Sequence, residues 1–279
     1  MLLRLLAIAC LSACSTTGQM PDPPNQARVE PFQIEANGVV VAGEVHSLSR
    51  HPQSALIIVG GSGSRTREDT AAAVQIFLDE ETAVVLMDRR GNGLSTGAFE
   101  VPDTANTEWQ VPRFGADVAA AADHLKQAGF QRVVLLGTSL GGWVNASASV
   151  QAGADIDAVV SMSGGGSSVG VSDEFDRLTD EGMTLAQATE QARTYTTVTG
   201  YDPLPDLERM QQPTLWVFGE LDDSNPTALD LENVKRLATS GRPFTWLVVP
   251  GAGHEFTDAV TGEFNGSWIE PVRRFVHGD

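Results

Sequence analysis

Short runs of consecutive apolar residues recur along the chain between turn residues. Runs of this kind are typical of strands that are buried on both faces of a parallel sheet. Segments with helical spacing of apolar residues follow several of them, which predicts alternating strands and helices. The predicted strands are residues 55–59, 83–87, 133–136, 156–162, 215–218 and 244–249, and the predicted helices are residues 70–80, 114–128, 228–239 and 268–276.

A different pattern precedes the first of these runs. Residues 32–35 and 39–45 flank the dipeptide Asn37-Gly38, which is a strong signal for a tight hairpin. We therefore expect an α/β fold: a mostly parallel, eight-stranded sheet with helices on both faces and an antiparallel N-terminal hairpin at one edge. Functional loops should gather at the carboxyl ends of the strands.

The alternation of strands and helices is interrupted at about residues 164–210. This segment holds a Gly/Ser loop, an acidic stretch and a predicted helix over residues 184–194. Because it lies between two predicted strands, on the side of the functional loops, we interpret it as a small lid insertion. A long crossover helix with its loops fits the same pattern equally well.

The N-terminal residues follow neither pattern. Residues 1–13 carry one early charge and an apolar run that is far too short to span a bilayer, which predicts a signal peptide. Residues 14–31 are polar and Pro-rich without apolar periodicity, which predicts a flexible tether. The remaining residues, 32–279, are expected to form one large domain.

Both cysteines of the chain, Cys10 and Cys14, lie in this N-terminal part, so the domain has no thiol for a disulfide. The stretch Leu11-Ser12-Ala13-Cys14 resembles the lipobox of bacterial lipoproteins. That resemblance implies cleavage before Cys14, lipidation of its thiol and anchoring in the cell envelope, at the periplasmic face of the outer membrane. An ordinary cleaved signal peptide is the alternative.

The formal net charge is −18, and the basic residues do not cluster beyond two Arg-Arg pairs. Nucleic acid is therefore not an expected partner. The chain also lacks a dinucleotide fingerprint, a P-loop lysine and a metal-ligand set, so we expect neither a cofactor nor a metal.

The pattern G-x-S-x-G, which presents a serine nucleophile between a strand and a helix, is centred on Ser95, Ser139 and Ser168. Only Ser139 directly follows a predicted strand and precedes a helix of small and apolar residues. Side chains at Gly137 or Gly141 would push that helix away from the strand. Ser95 follows a polar insert and Ser168 follows three glycines, which favours loops. Ser139 is the predicted nucleophile.

An acyl-transfer serine needs a base, and the base needs an acid that orients it. Among the five histidines, His254 alone lies in a Gly-rich loop directly after a predicted strand, and it is the predicted base. Asp222 closes the loop after the strand over residues 215–218 and is the predicted acid, with Glu220 and Asp223 as rivals.

From about residue 33 onwards, the chain resembles the α/β-hydrolase fold family, in its small esterase and peptidase-like branch. The segments that carry this resemblance are the oxyanion loop GGSGSRTRED, the loop DRRGNGLSTG, the nucleophile turn GTSLGG, the acid loop PTLWVFGELDDSNP and the histidine loop VPGAGHEF. The order Ser, Asp, His along the chain is the order of that fold. The chain departs from the family at Gly60, where many members have histidine, and in its unfamiliar lid.

The resemblance also implies an oxyanion site. The N–H groups of Leu140 and Ser62 are expected to bind the oxyanion, with Gly61 as the alternative to Ser62. Charged residues of the same loop should brace it by ion pairs, unless one arginine meets a substrate carboxylate; they are Arg65, Arg67, Glu68 and Asp69. Four residues of the insertion either line a pocket or hold the lid down, namely Met183, Leu185, Tyr195 and Tyr201.

Together these features predict a serine hydrolase that cleaves a carboxylic ester, thioester or small amide through an acyl-enzyme. Its expected partner is a small-molecule acyl substrate. An acyltransferase that uses the same site, and a non-catalytic envelope lipoprotein that uses the fold as a binding scaffold, are the alternatives.

Overall fold

The computed structural model describes residues 27–63, 65–195 and 199–279. The predicted signal peptide, Cys14 and most of the predicted tether lie outside these residues. The strands are β1 (Arg28–Ala36), β2 (Val39–Ser47), β3 (Ser54–Val59), β4 (Thr82–Met87), β5 (Arg132–Thr138), β6 (Ala158–Met162), β7 (Thr214–Gly219) and β8 (Phe244–Val249). The helices are α1 (Ala72–Phe77), α2 (Thr107–Gln127), α3 (Leu140–Ala152), α4 (Val169–Asp180), α5 (Leu185–Arg193), α6 (Leu204–Leu207), α7 (Thr227–Thr239) and α8 (Ile269–His277).

These strands form one eight-stranded sheet in the order β1-β2-β4-β3-β5-β6-β7-β8. The six strands β4, β3, β5, β6, β7 and β8 are parallel to one another, whereas β2 pairs antiparallel with both β1 and β4. Successive side chains of β3 point to opposite faces, so Ile57 and Leu56 join different apolar clusters. Helices cover both faces, which explains the continuous apolar runs. The expected sheet with helices on both faces is confirmed.

The N-terminal hairpin is also confirmed. Strands β1 and β2 are antiparallel and turn at Asn37 and Gly38, whose φ values are 48° and 79°. β1 nevertheless begins at Arg28, which pairs with Ser47, so its first four residues were wrongly assigned to the tether. The side chains of these four residues are exposed, and only their backbone takes part in the sheet. Their residue types therefore show no apolar pattern.

Helix α2 begins at Thr107, seven residues before its predicted start at residue 114. Proline lacks the N–H group of a helical hydrogen bond, so Pro112 is unfavourable inside a helix. The structure places Pro112 inside the helix. The residues before it, including Thr107 and Val111, are buried, so tertiary packing outweighs the lost hydrogen bond.

The insertion between β6 and β7 contains α4, α5 and α6, and the predicted helix over residues 184–194 corresponds to α5. Helix α4 was not predicted, because four acidic residues interrupt its apolar positions. Phe175 and Leu178 of α4 pack against Ala188 and Ala192 of α5 and against Leu229 of α7. The two helices thus share a small apolar cluster with α7, beside the main core.

None of the helices in the described part of the chain is both long enough and apolar enough to cross a membrane.

Candidate active site

The turn between β5 and α3 holds Ser139 in a strained backbone conformation, with φ 52° and ψ −122°. A residue other than glycine adopts these backbone angles only where tight packing of its neighbours enforces them. Gly137 and Gly141 provide that packing. A Cβ atom at Gly137 would lie 2.4 Å from the carbonyl oxygen of Gly141, and a Cβ atom at Gly141 would lie 2.2 Å from the carbonyl oxygen of Val59. The helix therefore sits directly against β3 and β5.

Replacing Gly141 by alanine should lower the free energy of unfolding by about 2–4 kcal/mol, because the new methyl group meets a backbone carbonyl that cannot move aside. Urea denaturation measures this change. Gly253→Ala is the matched control, since the nearest atom lies 3.8 Å from a Cβ atom there, and its effect should stay within about 1 kcal/mol. Equal losses in the two variants would contradict the steric explanation.

The imidazole of His254 and the carboxylate of Asp222 face each other in the loops after β8 and β7. Nδ1 of His254 lies 3.0 Å from both carboxylate oxygens of Asp222. The backbone N–H groups of Ser224 and Asn225 donate to Oδ1 of Asp222 at 2.9 and 2.8 Å. The carboxylate is buried, so these hydrogen bonds fix its position and thereby the orientation of the ring.

Opposing influences act on the pKa of His254. Burial disfavours the charged imidazolium and lowers the pKa, but the carboxylates of Asp222, Asp223 and Glu255 outweigh burial and raise the pKa above its ordinary value. The charged form of the ring is therefore stabilised at this position, as a base that accepts a proton requires.

Asn225 connects the histidine loop to the region around Ser139. Its Nδ2 donates to the carbonyl oxygen of Ser163 at 2.8 Å and lies 3.4 Å from Nδ1 of His254. Gly164, the next residue, has no side chain, and a Cβ atom there would lie 3.0 Å from the carbonyl oxygen of Ser139. The structure thus brings the loops of Ser139, Asp222 and His254 together at the carboxyl edge of the sheet.

Of the predicted oxyanion residues, Gly61 lies next to Ser139, with no room for a side chain between them. A Cβ atom at Gly61 would lie 3.2 Å from Cβ and 3.7 Å from Oγ of Ser139. Ser62 follows and is exposed. Leu140 is the first residue of α3, where backbone N–H groups lack partners within the helix. The N–H of Ser139 itself donates to Met162 at 2.9 Å.

The rival serines have structural contacts instead. Oγ of Ser95 is buried, donates to the carbonyl oxygen of Asp88 at 2.7 Å and accepts the N–H of Ala42 at 2.9 Å. Ser168 caps the N-terminus of α4 by accepting the N–H of Val171. Among the rival acids, Glu220 accepts the N–H of Gly251 at 2.9 Å rather than facing the imidazole.

Among the charged loop residues, Arg67 makes ion pairs with partners outside the loop. Arg67 lies 3.3 Å from the Asp88 carboxylate and 3.6 Å from that of Glu44. Asp69 accepts the backbone N–H of Thr66 at 2.7 Å. The Arg67 pairs anchor the loop to β2 and to the residue after β4, which sequence spacing did not indicate.

Three of the four candidate pocket residues of the insertion pack inwards, and the fourth, Tyr195, is half-buried. Tyr201 is buried and its hydroxyl donates to Asp206, while Met183 and Leu185 pack against the cluster shared by α4 and α5. Trp143 of α3 is buried, and its Nε1 donates to the carbonyl oxygen of Ser167 at 2.7 Å. These contacts favour a role in holding the insertion to the core.

One charged residue near the imidazole is absent from the predicted site residues. Asp176 of α4 interacts electrostatically with His254, and its own pKa is raised by burial and by Asp180 and Asp223, against a hydrogen bond from Ser224. The available signal was weak, because the sequence did not place α4 relative to the histidine loop. Over the described ranges 27–63, 65–195 and 199–279, no group of His, Cys, Asp or Glu could hold a metal ion.

The profile of the prolyl oligopeptidase family matches residues 69–277. No curated protein sequence is significantly similar to the chain. Among solved structures, the esterase Pf2001 of Pyrococcus furiosus superposes with a TM-score of 0.67 at 16% identity, covering 90% of this chain and 93% of that chain. A proline iminopeptidase of Mycobacterium smegmatis gives a TM-score of 0.61 at 15% identity, with 89% and 98% covered.

Est1E of Butyrivibrio proteoclasticus, solved with ferulic acid bound, superposes with a TM-score of 0.59 at 18% identity, covering 88% of this chain and 98% of that chain. Identities this low establish a common fold and leave the substrate open. The expected α/β-hydrolase fold is confirmed by these likenesses together with the sheet order.

Proposed function

Because the chain belongs to the prolyl oligopeptidase family and is a serine hydrolase of the α/β-hydrolase fold, we propose that Ser139, His254 and Asp222 form its catalytic triad. The observation that carries this proposal is the pairing of His254 Nδ1 with the buried Asp222 carboxylate at 3.0 Å, at the sheet edge where the strained Ser139 lies. The pairing leaves Nε2 of the ring for proton exchange with the serine.

In the proposed reaction, Oγ of Ser139 attacks the carbonyl carbon of the substrate while Nε2 of His254 takes the hydroxyl proton. The carboxylate of Asp222 stabilises the resulting imidazolium. The backbone N–H of Leu140 and that of Ser62 or Gly61 bind the oxyanion. The imidazolium then protonates the leaving group, and a water molecule, activated by the same imidazole, hydrolyses the acyl-enzyme.

We propose a carboxylic ester as the preferred substrate class, with a thioester or small amide as the alternatives. The structural neighbour Pf2001 is an esterase, and the neighbour Est1E was solved with a carboxylic acid, ferulic acid, bound, which supports this choice. The family match and the iminopeptidase neighbour favour a peptide amide as the second candidate. Both reactions proceed through the same acyl-enzyme, so the leaving group alone distinguishes them.

A panel of chromogenic substrates tests the proposal. We expect purified protein to hydrolyse p-nitrophenyl esters of short acyl chains faster than proline p-nitroanilide. The reverse order would favour the peptidase. An added alcohol acceptor that converts most of the acyl group into a new ester would instead indicate the acyltransferase. Absence of turnover together with absence of labelling by a fluorophosphonate would favour the non-catalytic scaffold.

A further inference from the structure

The oxyanion loop, residues 60–63 and 65–67, lies over the guanidinium of Arg89, which follows β4. Nη2 of Arg89 donates to the carbonyl oxygens of Gly60 at 2.8 Å and Gly61 at 2.7 Å, and Nη1 donates to that of Gly63 at 2.7 Å. On its other side the guanidinium lies 4.8 Å from the centroid of the Phe114 ring. A single side chain thus binds three carbonyl groups of one short loop.

These contacts determine where the N–H groups of the loop point. The peptide bond is planar and trans, so the C=O of one residue and the N–H of the next point in opposite directions. With the carbonyl groups of Gly60 and Gly61 directed at Arg89, the N–H groups of Gly61 and Ser62 are directed away from it. Gly61 lies against Ser139. The predicted donors are therefore oriented by Arg89.

Two neighbouring groups hold the other end of the loop. The backbone N–H of Arg89 donates to the carbonyl oxygen of Arg65 at 2.9 Å. Oδ1 of Asp88 accepts the backbone N–H of Arg67 at 2.9 Å. The first two residues of the segment DRRGNGLSTG therefore fix the loop along most of its length.

The guanidinium also places a positive charge behind the loop. Burial, and to a lesser extent the nearby Arg65, lowers the pKa of Arg89 to about 9. The side chain therefore remains protonated near pH 7. A fixed positive charge at this position favours the negative charge that develops on the substrate oxygen.

We propose that Arg89 positions the oxyanion donors: it binds the carbonyl groups of residues 60, 61 and 63 so that the N–H groups of Gly61 and Ser62 face the reacting carbonyl. Arg89 is a positioning residue, because it acts through the loop and not on the substrate. The inference rests on the proposed function, since an oxyanion forms only if Ser139 attacks a carbonyl group.

The test compares Arg89→Gln and Arg89→Lys with wild type. Loss of one oxyanion donor typically costs on the order of 10²–10³ in rate, so we expect Arg89→Gln to lower kcat for p-nitrophenyl acetate by roughly 10–10²-fold. KM should change by less than about threefold, because the donors act mainly in the transition state. Arg89→Lys keeps the positive charge but cannot bind all three carbonyl groups. Its kcat should therefore lie between that of wild type and that of Arg89→Gln.

A second measurement is the affinity for a boronic acid inhibitor. This affinity would not change if Arg89 only stabilised the fold. The boronate forms a tetrahedral adduct with Ser139 whose oxygen occupies the oxyanion site, so its affinity should fall in parallel with kcat/KM across the variants. Arg132→Gln is the matched control. Arg132 also binds backbone carbonyl groups, those of Val276 and Phe275, but at the start of β5, so this variant should keep wild-type kcat and boronate affinity.

Wild-type kcat and boronate affinity in folded Arg89→Gln would overturn the inference. If that variant does not fold, the same criterion applies to Arg89→Lys, for which unchanged values overturn it. An inactive wild-type protein that no boronate or fluorophosphonate binds would instead refute the proposed function. The two failures are therefore distinguishable.

Discussion

Replacing Ser139 by alanine should lower kcat/KM for p-nitrophenyl acetate by roughly 10⁴-fold or more. The hydroxyl group is the proposed nucleophile, and His254 and Asp222 have no acyl acceptor without it. The loss should appear in kcat, because an alanine side chain removes the reaction while leaving the substrate contacts in place. Steady-state kinetics measure it, and circular dichroism checks that the variant is folded.

The two rival serines provide matched controls for this prediction. Ser168→Ala removes a helix cap and should cost about 1 kcal/mol of stability with little loss of activity. Ser95→Ala removes two buried hydrogen bonds and should likewise affect stability before activity. A Ser139→Ala protein with wild-type turnover, or a Ser95→Ala protein that is folded and inactive, would refute the assignment.

Replacing Asp222 by asparagine should lower kcat by roughly 10³–10⁴-fold while preserving the fold. The amide oxygen can still accept the N–H groups of Ser224 and Asn225, whereas the side chain can no longer stabilise a protonated His254. An amide NH₂ group directed at Nδ1 would also favour the wrong tautomer of the ring. The measurements are kcat and kcat/KM across a range of pH values.

The pH dependence gives this variant a second readout. In the wild type, kcat/KM should fall as the pH drops through the raised pKa of His254, because only the neutral imidazole accepts the serine proton. Asp222→Asn removes the strongest influence that raises the pKa of His254, whereas the burial of the ring, which lowers that pKa, remains. The acidic limb of the pH profile should therefore move to lower pH. Asp223→Asn is the control, with a small shift in the same direction and nearly wild-type kcat. An acidic limb at the same pH in Asp222→Asn would contradict the pairing.

The positions of the buried strands and the serine turn could be predicted because their causes are local. Continuous apolar runs indicate buried strands, and the steric requirement at Gly137 and Gly141 can be inferred from the turn alone. The start of β1 could not be predicted, since its first residues have exposed side chains and only their backbone takes part in the sheet.

The contacts of Arg89 illustrate what the sequence leaves open. Its guanidinium binds carbonyl groups that lie 26 to 29 residues earlier in the chain. Every residue has a backbone carbonyl group, so the sequence cannot show which of them an arginine binds. The location of Asp176 relative to His254 could not be predicted either, because the path of the insertion depends on how it packs against α7.

The central claim is that Ser139 forms the covalent intermediate, and mapping of a trapped adduct tests it most directly. Protein treated with a fluorophosphonate is cleaved before aspartate residues, which releases residues 123–154 with Ser139 but without Ser95 and Ser168. We predict one adduct, in that fragment and on Ser139 by fragmentation mass spectrometry. An adduct on a different residue, or an enzyme that turns over ester yet acquires no adduct on Ser139, would contradict the account.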